Sequence, residues 1–263
     1  MLQRERLDSA VAARLGLTRS QARGLILAGR VRIDGQPAEK AGALVRADAQ
    51  LEVEALPAYV SRGGDKLAAA LVAFGVSPEG CDVLDVGAST GGFTDALLAH
   101  GAKHVTALDV GYGQLAWKLR TDPRVTVVER TNFRTLGDAA FPACFDLIVV
   151  DASFISVRTI VERAAAYLRP GGSIVALVKP QFEAGRARIG GGVMRDPAVH
   201  RAILREVRAA LRAFGLVAVD AMISPLRGPA GNVEFFYRIM QSGVPVDDAR
   251  IDALVTAAHG PEV

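Results

Sequence analysis

Apolar positions along residues 82–240 recur in short runs that are separated by stretches of helical spacing. The runs have the length of buried strands, and the stretches between them repeat apolar residues three and four positions apart, as one face of a helix requires. The expected strands lie at 82–86, 104–109, 125–129, 146–151, 173–178, 216–223 and 233–240. The expected helices lie at 92–100, 112–121, 155–168 and 197–214. This alternation predicts an α/β fold with a doubly wound, mostly parallel seven-stranded sheet.

The end of this region departs from strict alternation. A loop rich in proline and glycine, rather than a helix, joins the last two expected strands. Such a connection predicts a closing hairpin, and it makes one strand antiparallel to the others. Residues 241–263 are expected to form a C-terminal tail, to which the pattern assigns no role.

Residues 1–58 follow a different pattern, which predicts a small α+β domain. Apolar residues near its start have helical spacing, and Thr18 with Gln21 can form a capping box at the start of a second helix. Two short segments, 31–33 and 51–53, alternate apolar and polar residues as small strands do.

Charge is concentrated in this first domain. The whole chain has a net charge of +3 and a pI of about 9.1, whereas residues 1–32 alone carry seven arginines against two acidic residues, 7 − 2 = +5. Such arginines can track the phosphates of RNA, and the simpler alternative is a solvated helix face. A glycine-rich connection at 181–195 adds more arginines and predicts a mobile lid over RNA, or only a flexible surface loop. The candidate RNA-binding residues are Arg6, Arg19, Arg23, Arg30, Arg32, Arg186 and Arg188.

Composition argues against several other classes. The two cysteines, Cys81 and Cys144, cannot build a disulfide framework or a metal-binding knuckle. The start of the chain is charged, unlike a signal peptide, and no apolar run reaches the roughly 18 residues of a membrane span. We therefore expect a cytoplasmic protein with no bound metal and no membrane partner. No pattern in the sequence indicates the oligomeric state.

The segment from Val83 to Thr94 predicts a strand, a glycine-rich turn and the start of a helix. A dinucleotide-binding loop requires glycine where this loop has Ser89, and a P-loop requires a lysine that does not follow Gly91. A loop that holds an amino acid moiety needs neither. We therefore expect S-adenosylmethionine as the cofactor. The candidate contacts in this segment are Asp85, Gly87, Ala88, Ser89, Thr90, Gly91, Gly92 and Phe93.

Further cofactor contacts are expected where the next strands end. Asp109 ends the second strand, and its carboxylate can accept hydrogen bonds from both hydroxyl groups of a ribose or, alternatively, cap the turn into Gly111. Asn132 and Phe133 follow the third strand and can offer an amide and an aromatic face to adenine, or form a plain turn. Asp151 ends the fourth strand at the same edge of the sheet.

The residues at this edge also bear on the methyl acceptor. Amine methylation often uses an Asn/Asp-Pro-Pro-aromatic loop, and the fourth strand is followed by Asp-Ala-Ser-Phe instead. Cys144 precedes that strand, at the wrong end to attack a pyrimidine carbon. An alcohol acceptor remains, and it needs a base, which a lysine becomes only when burial or a nearby cation lowers its pKa. Two lysines and two acids converge on the cofactor edge: Lys66, Asp151, Lys179 and Glu234.

Two resemblances give these features a context. Thr18-Arg-Ser-Gln-Ala-Arg-Gly-Leu-Ile and Gly29-Arg-Val-Arg-Ile-Asp-Gly are similar to the RNA-binding domain named after ribosomal protein S-four. The four charged residues match the Lys-Asp-Lys-Glu tetrad of the FtsJ-like 2′-O-ribose methyltransferases. Together the two parts resemble the TlyA family from residue 6 to about 240. The resemblance implies a Rossmann-like class I methyltransferase. The implied domains are an S-four-like domain at 1–58, a linker at 59–65, a methyltransferase domain at 66–240 and a tail at 241–263.

The TlyA resemblance also implies a reaction. The methyl group of S-adenosylmethionine would pass to the ribose 2′-hydroxyl of cytidine in 16S or 23S ribosomal RNA, or in both, either free or within ribosomal subunits. Lys179 would act as the base, while Lys66, Asp151 and Glu234 would orient the ribose or tune the charge. Two alternatives stay open: a membrane-active haemolysin, which the older family name suggests, and a non-catalytic RNA-binding assembly factor.

Overall fold

The computed structural model describes residues 4–53, 57–137, 140–141, 144–184, 193–228 and 230–260. Contacts between residues divide the chain into two compact units, with the division between residues 56 and 57. Each unit has its own hydrophobic core and is described by itself.

The first unit is a small α+β domain. Its elements are β1 (Arg4–Arg6), α1 (Leu7–Leu15), α2 (Arg19–Leu27), β2 (Val31–Ile33), β3 (Gln36–Pro37), β4 (Leu44–Arg46) and β5 (Leu51–Val53). Strand β2 pairs antiparallel with β3 and β5, and β1 pairs with β4. The expected capping box at the start of α2 is confirmed, because Thr18 Oγ1 accepts from Gln21 N while Gln21 Oε1 accepts from Thr18 N. Apolar residues of α1 and α2 form the core of this unit.

The second unit contains one large sheet and its covering helices. Its strands are β6 (Asp82–Val86), β7 (His104–Leu108), β8 (Val125–Val128), β9 (Phe145–Val150), β10 (Leu168–Val178), β11 (Val217–Ile223) and β12 (Phe235–Met240). Its α-helices are α3 (Arg62–Phe74), α4 (Gly92–Ala99), α5 (Trp117–Arg120), α6 (Val157–Ala164), α7 (Pro180–Glu183), α8 (Pro197–Leu211) and α9 (Asp248–Ala258).

The sheet has the strand order β11-β12-β10-β9-β6-β7-β8. Strands β6 to β10 are parallel, and β12 runs antiparallel to both β10 and β11. The expected seven-stranded, mostly parallel sheet with one antiparallel strand is therefore confirmed. Alternate residues of each central strand face opposite layers, so that Val83 packs with α3 and α4 while Leu84 packs with α6, α8 and α9. Helices thus cover both faces of the sheet.

One expected helix is much shorter than predicted. The sequence pattern placed a helix at 112–121, whereas the structure has only α5 at its end. The reason is that side chains capture backbone donors before a helix can form: Asp109 Oδ1 accepts from Gly111 N at 2.6 Å, and Glu129 Oε1 accepts from Gly113 N at 2.9 Å. Competition of this kind favours a turn over a helix.

The segment expected to be a linker at 59–65 is partly helical, because α3 begins at Arg62. Gly63 and Gly64 lie in the first turn of this helix. Gly64 has a packing role there, since an added Cβ would lie 2.3 Å from side-chain carbons of Tyr59. The glycine allows the chain before the helix to fold back onto it.

The expected tail at 241–263 also contains an element that the sequence analysis missed. Helix α9 is capped by Asp247, whose side chain accepts from Arg250 N at 2.7 Å. Ile251 and Val255 are completely buried in the core on the side of α6 and α8. The residues up to 260 therefore belong to the second unit. Among the described residues of the chain, no helix is long and apolar enough to cross a bilayer.

Candidate active site

The candidate site lies where the order of the strands reverses. Strand β6 has β7 on one side and β9 on the other, so the connections after β6 and β9 lead in different directions. In doubly wound sheets this point creates a crevice at the carboxyl ends of the strands. Two adjoining cavities occupy it, and both are lined by Gly87, Ser89, Asp151 and Ser153.

The first cavity has a volume of about 350 Å³ and mainly apolar walls. Its apolar lining includes Leu108, Val110, Phe133, Ile155 and Ile160. At its edge, Asp109 accepts from Ser89 N at 2.8 Å through Oδ2 and from Gly111 N through Oδ1. This carboxylate therefore ties the glycine-rich loop to the turn after β7. Each carboxylate oxygen has a second lone pair, with which it can accept a hydrogen bond from a hydroxyl group.

Asn132 and Phe133 also line the first cavity. Asn132 Oδ1 accepts from Arg134 N at 3.1 Å and so caps a short 3₁₀ turn. Phe133 is only 2% exposed, and its ring packs against Tyr167 with 5.9 Å between centroids. Most of the Phe133 side chain is thus buried in the core, and only a small part of it faces the cavity.

The glycine-rich loop after β6 approaches the loop after β9 closely. Gly87 has a φ of +89°, which side chains rarely adopt, and an added Cβ would lie 2.6 Å from the backbone oxygen of Asp151. Of the eight contacts expected from this segment, six line a cavity: Gly87, Ala88, Ser89, Thr90, Gly92 and Phe93.

The other two expected contacts, Asp85 and Gly91, line neither cavity. Asp85 is completely buried below the loop and accepts from Thr94 Oγ1 at 2.6 Å. Burial raises the pKa of Asp85 to about 7. An added Cβ at Gly91 would lie 2.3 Å from Leu119, so this glycine accommodates the packing of α5. Asp85 and Gly91 therefore support the conformation of the loop without lining either cavity.

The second cavity, of about 260 Å³, is lined by all four charged residues of the expected tetrad. Lys66 Nζ lies 2.6 Å from Glu234 Oε2, and both side chains are buried. Lys179 Nζ lies 2.6 Å from Asp151 Oδ1. The four charges are therefore arranged as two ion pairs in one cleft.

Separate elements deliver these four side chains. Lys66 comes from the second turn of α3, Asp151 and Lys179 directly follow β9 and β10, and Glu234 directly precedes β12. Because β12 runs antiparallel to β10, the residue before β12 reaches the same edge of the sheet as the residue after β10. The hairpin at the end of the fold thus completes the cleft.

Several residues that the sequence analysis did not single out belong to the cleft. Ser61 and Arg62 line the second cavity. Ser153 Oγ accepts from Lys179 Nζ at 2.8 Å, which gives the lysine a second fixed partner. A serine two residues after a strand-ending acid is common in turns, so the sequence offered no specific signal for it.

Glu183 in α7 is a further residue that was missed. Its buried carboxylate accepts from Ser156 Oγ and from Val157 N, both at 2.6 Å, and pairs with Arg158 at 3.3 Å. These bonds join the segment after Lys179 to the start of α6, where an acidic group is also favoured by the helix dipole. Glu183 therefore couples the loop after β9 to the loop after β10.

In the first unit, the expected RNA-binding arginines differ in their partners. Arg6 donates to both oxygens of Asp8 at 3.0 and 2.6 Å, and Arg19 lies 3.4 Å from the same carboxylate. The hydrogen bond from Arg6 holds the pKa of Asp8 well below its usual range. Asp8 thus holds together two arginines, one at the end of β1 and one at the start of α2.

The remaining arginines of the first unit lie on or after α2. Arg23 and Arg32 are exposed, and Arg30 is partly buried. Arg32 donates to the backbone oxygen of Gly35 at 3.2 Å. The other two candidates, Arg186 and Arg188, lie outside the described residues. Among the residues that the structure does describe, no group of three or more histidine, cysteine or acidic side chains is arranged to hold a metal ion.

A doubly wound sheet with this strand order, a glycine-rich loop after its first strand and a charged cleft beside that loop define a class I methyltransferase. The FtsJ-like methyltransferase family model matches residues 59–239, and the S4 domain model matches residues 5–51. A relative from Mycobacterium tuberculosis, the 16S/23S rRNA (cytidine-2′-O)-methyltransferase TlyA, is 48% identical over 90% of both chains. The chain belongs to the FtsJ-like methyltransferases and, within them, to the TlyA family.

Two other similar proteins are named as hemolysins. Hemolysin A of Brachyspira hyodysenteriae is 42% identical over 83% of this chain and 92% of its own length. A solved structure from Streptococcus thermophilus, provisionally described as a hemolysin, is 39% identical and has a TM-score of 0.75. That match covers 98% of this chain and 97% of the solved one.

Proposed function

We propose that this protein transfers a methyl group from S-adenosylmethionine to the ribose 2′-hydroxyl of cytidine in ribosomal RNA. The name of the Mycobacterium tuberculosis relative supports this reaction and its RNA substrate. The observation that carries the proposal is the pair of adjoining cavities, one mainly apolar with a carboxylate at its edge and one lined by two lysine–carboxylate pairs.

The first cavity fits the nucleoside part of this cofactor. Its apolar walls suit an adenine ring, and Asp109 has lone pairs left for the ribose hydroxyls. The loop from Gly87 to Thr90 would hold the amino acid part, at the boundary with the second cavity. When bound, the cofactor supplies an electrophilic methyl group. The methyl acceptor would then lie in the second cavity.

The four charged residues act on the acceptor in this proposal. Transfer of the methyl group to the ribose oxygen would break the methyl–sulfur bond and release S-adenosylhomocysteine, while the O2′–H bond breaks. That proton would pass to Lys179 Nζ as a neutral amine, so Lys179 must first give up its own proton to Asp151 or to water. Asp151 and Ser153 hold that nitrogen in place at 2.6 and 2.8 Å. Lys66 and Glu234 line the same cavity and orient the ribose.

The first unit would bind the RNA. Its arginines Arg6 and Arg19 are held together by Asp8, while Arg23 and Arg32 are exposed on the same small domain. Guanidinium groups fixed by a carboxylate lose little freedom when they bind a phosphate. The S4 domain match to residues 5–51 supports this assignment.

The test is mass mapping of methylated nucleotides in ribosomal RNA after incubation with the protein and S-adenosylmethionine. Small subunits, large subunits and free RNA are compared as substrates. Lys179→Ala is expected to lower turnover by about 10²- to 10⁴-fold, the usual contribution of a general base. Calorimetry is expected to show unchanged cofactor binding in this variant, because Lys179 lines only the second cavity.

Lys103→Ala is the matched control, since Lys103 is exposed at the opposite edge of the sheet. It is expected to retain full turnover. Equal turnover in the Lys179 and Lys103 variants would exclude Lys179 as the base. Absence of methylation by the wild-type protein on every ribosomal substrate would refute the proposed reaction.

A further inference from the structure

The second cavity has one charged wall residue that the proposed reaction does not use. Five charged side chains line this cavity: Arg62, Lys66, Asp151, Lys179 and Glu234. The last four form the two lysine–carboxylate pairs, so their charges cancel within the cleft. Arg62 therefore leaves the lining with three cations against two acids, 3 − 2 = +1.

The charge of Arg62 is not matched by an acid among the described residues. Within that part of the chain its guanidinium group takes part in no ion pair and no hydrogen bond. Asp65, three residues further along α3, lines neither cavity and acts electrostatically on Tyr59. Asp95 of α4 pairs with Lys118 at 2.8 Å. Arg62 is thus an exposed cation in the wall of the second cavity.

The backbone that carries Arg62 is fixed beside the glycine-rich loop. An added Cβ at Gly92 would clash with Ser61 Oγ and would lie 2.9 Å from Gly64 N. The start of α3 therefore packs directly on the start of α4, where that loop ends. Lys66 lies four residues after Arg62 in the same helix, and residues with this spacing share one helix face. Helix α3 thus holds both cations on the side of the second cavity.

The unmatched charge calls for an anion, and the cofactor does not bring a net negative charge. S-adenosylmethionine has a carboxylate, an ammonium and a sulfonium group, so it is positively charged overall. An RNA strand brings one negative charge with each phosphodiester group that flanks a ribose. A planar guanidinium group can donate two parallel hydrogen bonds to the oxygens of a phosphate. The chemistry of Arg62 therefore fits the backbone of the RNA.

We propose that Arg62 binds a phosphodiester group next to the target ribose. With that phosphate held at Arg62, the neighbouring 2′-hydroxyl is confined to the cavity that Lys179 also lines. Arg62 then favours a nucleotide within a strand over a free nucleoside, and it binds the substrate without taking part in proton transfer. The inference rests on the proposed function, because it takes RNA as the methyl acceptor.

The test compares full chains that carry Arg62→Gln or Arg62→Lys with the wild type. Methylation kinetics use the ribosomal substrate identified by mass mapping, and the anisotropy of fluorescently labelled ribosomal RNA measures binding over a range of salt concentrations. Arg62→Gln is expected to lower kcat/KM for RNA by about tenfold to hundredfold, as the loss of a charged hydrogen-bond donor does. The slope of log K against log salt is expected to fall in magnitude by about 1. Arg62→Lys keeps the charge without the planar fork, so it is expected to keep the salt slope and to recover only part of kcat/KM.

Arg212→Gln is the matched control, because it removes the same charge from an exposed arginine just before β11, at the opposite edge of the sheet. It is expected to leave kcat/KM and the salt slope unchanged. The inference is overturned if Arg62→Gln also keeps the wild-type values of both.

Calorimetric titration with S-adenosylmethionine separates the RNA phosphate from the cofactor carboxylate, the other anion that would reach this cavity. Unchanged cofactor affinity in Arg62→Gln, together with the reduced salt slope, supports the inference. Weaker cofactor binding with an unchanged salt slope overturns it and assigns Arg62 to the cofactor. Failure of the proposed function gives a different result, namely RNA binding without methylation by the wild type, and the salt slope then still decides whether Arg62 contacts a phosphate.

Discussion

At the residue scale, the two lysine–carboxylate pairs of the cleft differ in their surroundings. The side chains of Lys66 and Glu234 are 9% and 1% exposed, whereas that of Asp151 beside Lys179 is 23% exposed. Removal of one partner from a buried pair leaves an uncompensated charge and typically costs about 3–5 kcal/mol. Variants of Lys66 or Glu234 therefore test stability as well as chemistry, and Lys179 is the better position for a catalytic test.

Asp85 gives a prediction about stability and pH. Its folded pKa of about 7 lies above the ordinary value of 3.8, so between these values the folded chain keeps a proton that the unfolded chain releases. The stability that this proton contributes is fully present below the ordinary value and is lost as the pH rises to about 7. Asp85→Asn removes the titration. The free energy of unfolding of the wild type, relative to this variant, is expected to fall as the pH increases through that range.

Urea denaturation at several pH values measures this difference. Asp48→Asn, at an exposed position in the first unit, is the control. Its free energy of unfolding is expected to change with pH in the same way as that of the wild type. Thr94 can still donate to the amide oxygen in the Asp85 variant, so the local hydrogen bond is retained. If the wild type and Asp85→Asn keep a constant difference across the range, Asp85 is ionised in the folded protein and the prediction is wrong.

At the element scale, short contacts between loops and helices fix the cleft. Helix α7 is one turn long, and Glu183 within it binds the first residues of α6. The hairpin before β12 and helix α9 support the opposite side, since Val246 N just before α9 donates to Ala218 O of β11 at 2.8 Å. The segment after the last strand therefore stabilises the half of the sheet that carries Glu234.

Helix α9 gives a prediction at this scale. Ile251 is completely buried, so Ile251→Ala is expected to destabilise the protein by about 2–5 kcal/mol through lost burial and a cavity. Val244→Ala, in the same segment but 84% exposed, is expected to change stability by at most about 0.5 kcal/mol. Chemical denaturation measures both. Equal effects of the two variants would show that α9 does not pack on the sheet in solution.

At the scale of the whole molecule, the sequence predicted the sheet and the convergence of the four charged residues because both depend on simple patterns. Apolar runs mark buried strands, and residues that follow parallel strands share one edge. The shortened α5 depends on which side chain bonds to which backbone group, as with Asp109 and Gly111, and the buried carboxylate of Asp85 depends on a side-chain partner, Thr94, in the next helix. Such choices involve residues that come together only in the fold, so periodicity alone cannot show them.

The division between residues 56 and 57 gives the last prediction, because each unit has a separate hydrophobic core. A chain of residues 57–263 keeps both cavities of the cleft, and its Val60 N still donates to Asp95 Oδ2 at 2.8 Å. We expect it to bind S-adenosylmethionine with the affinity of the full chain. We also expect the KM for ribosomal RNA to rise by at least about tenfold, because the arginines of the first unit are gone. Calorimetry and methylation assays on both chains measure these quantities. If the shortened chain methylates RNA as well as the full chain does, the first unit does not bind the substrate; if it folds but loses the cofactor, the two units are not independent.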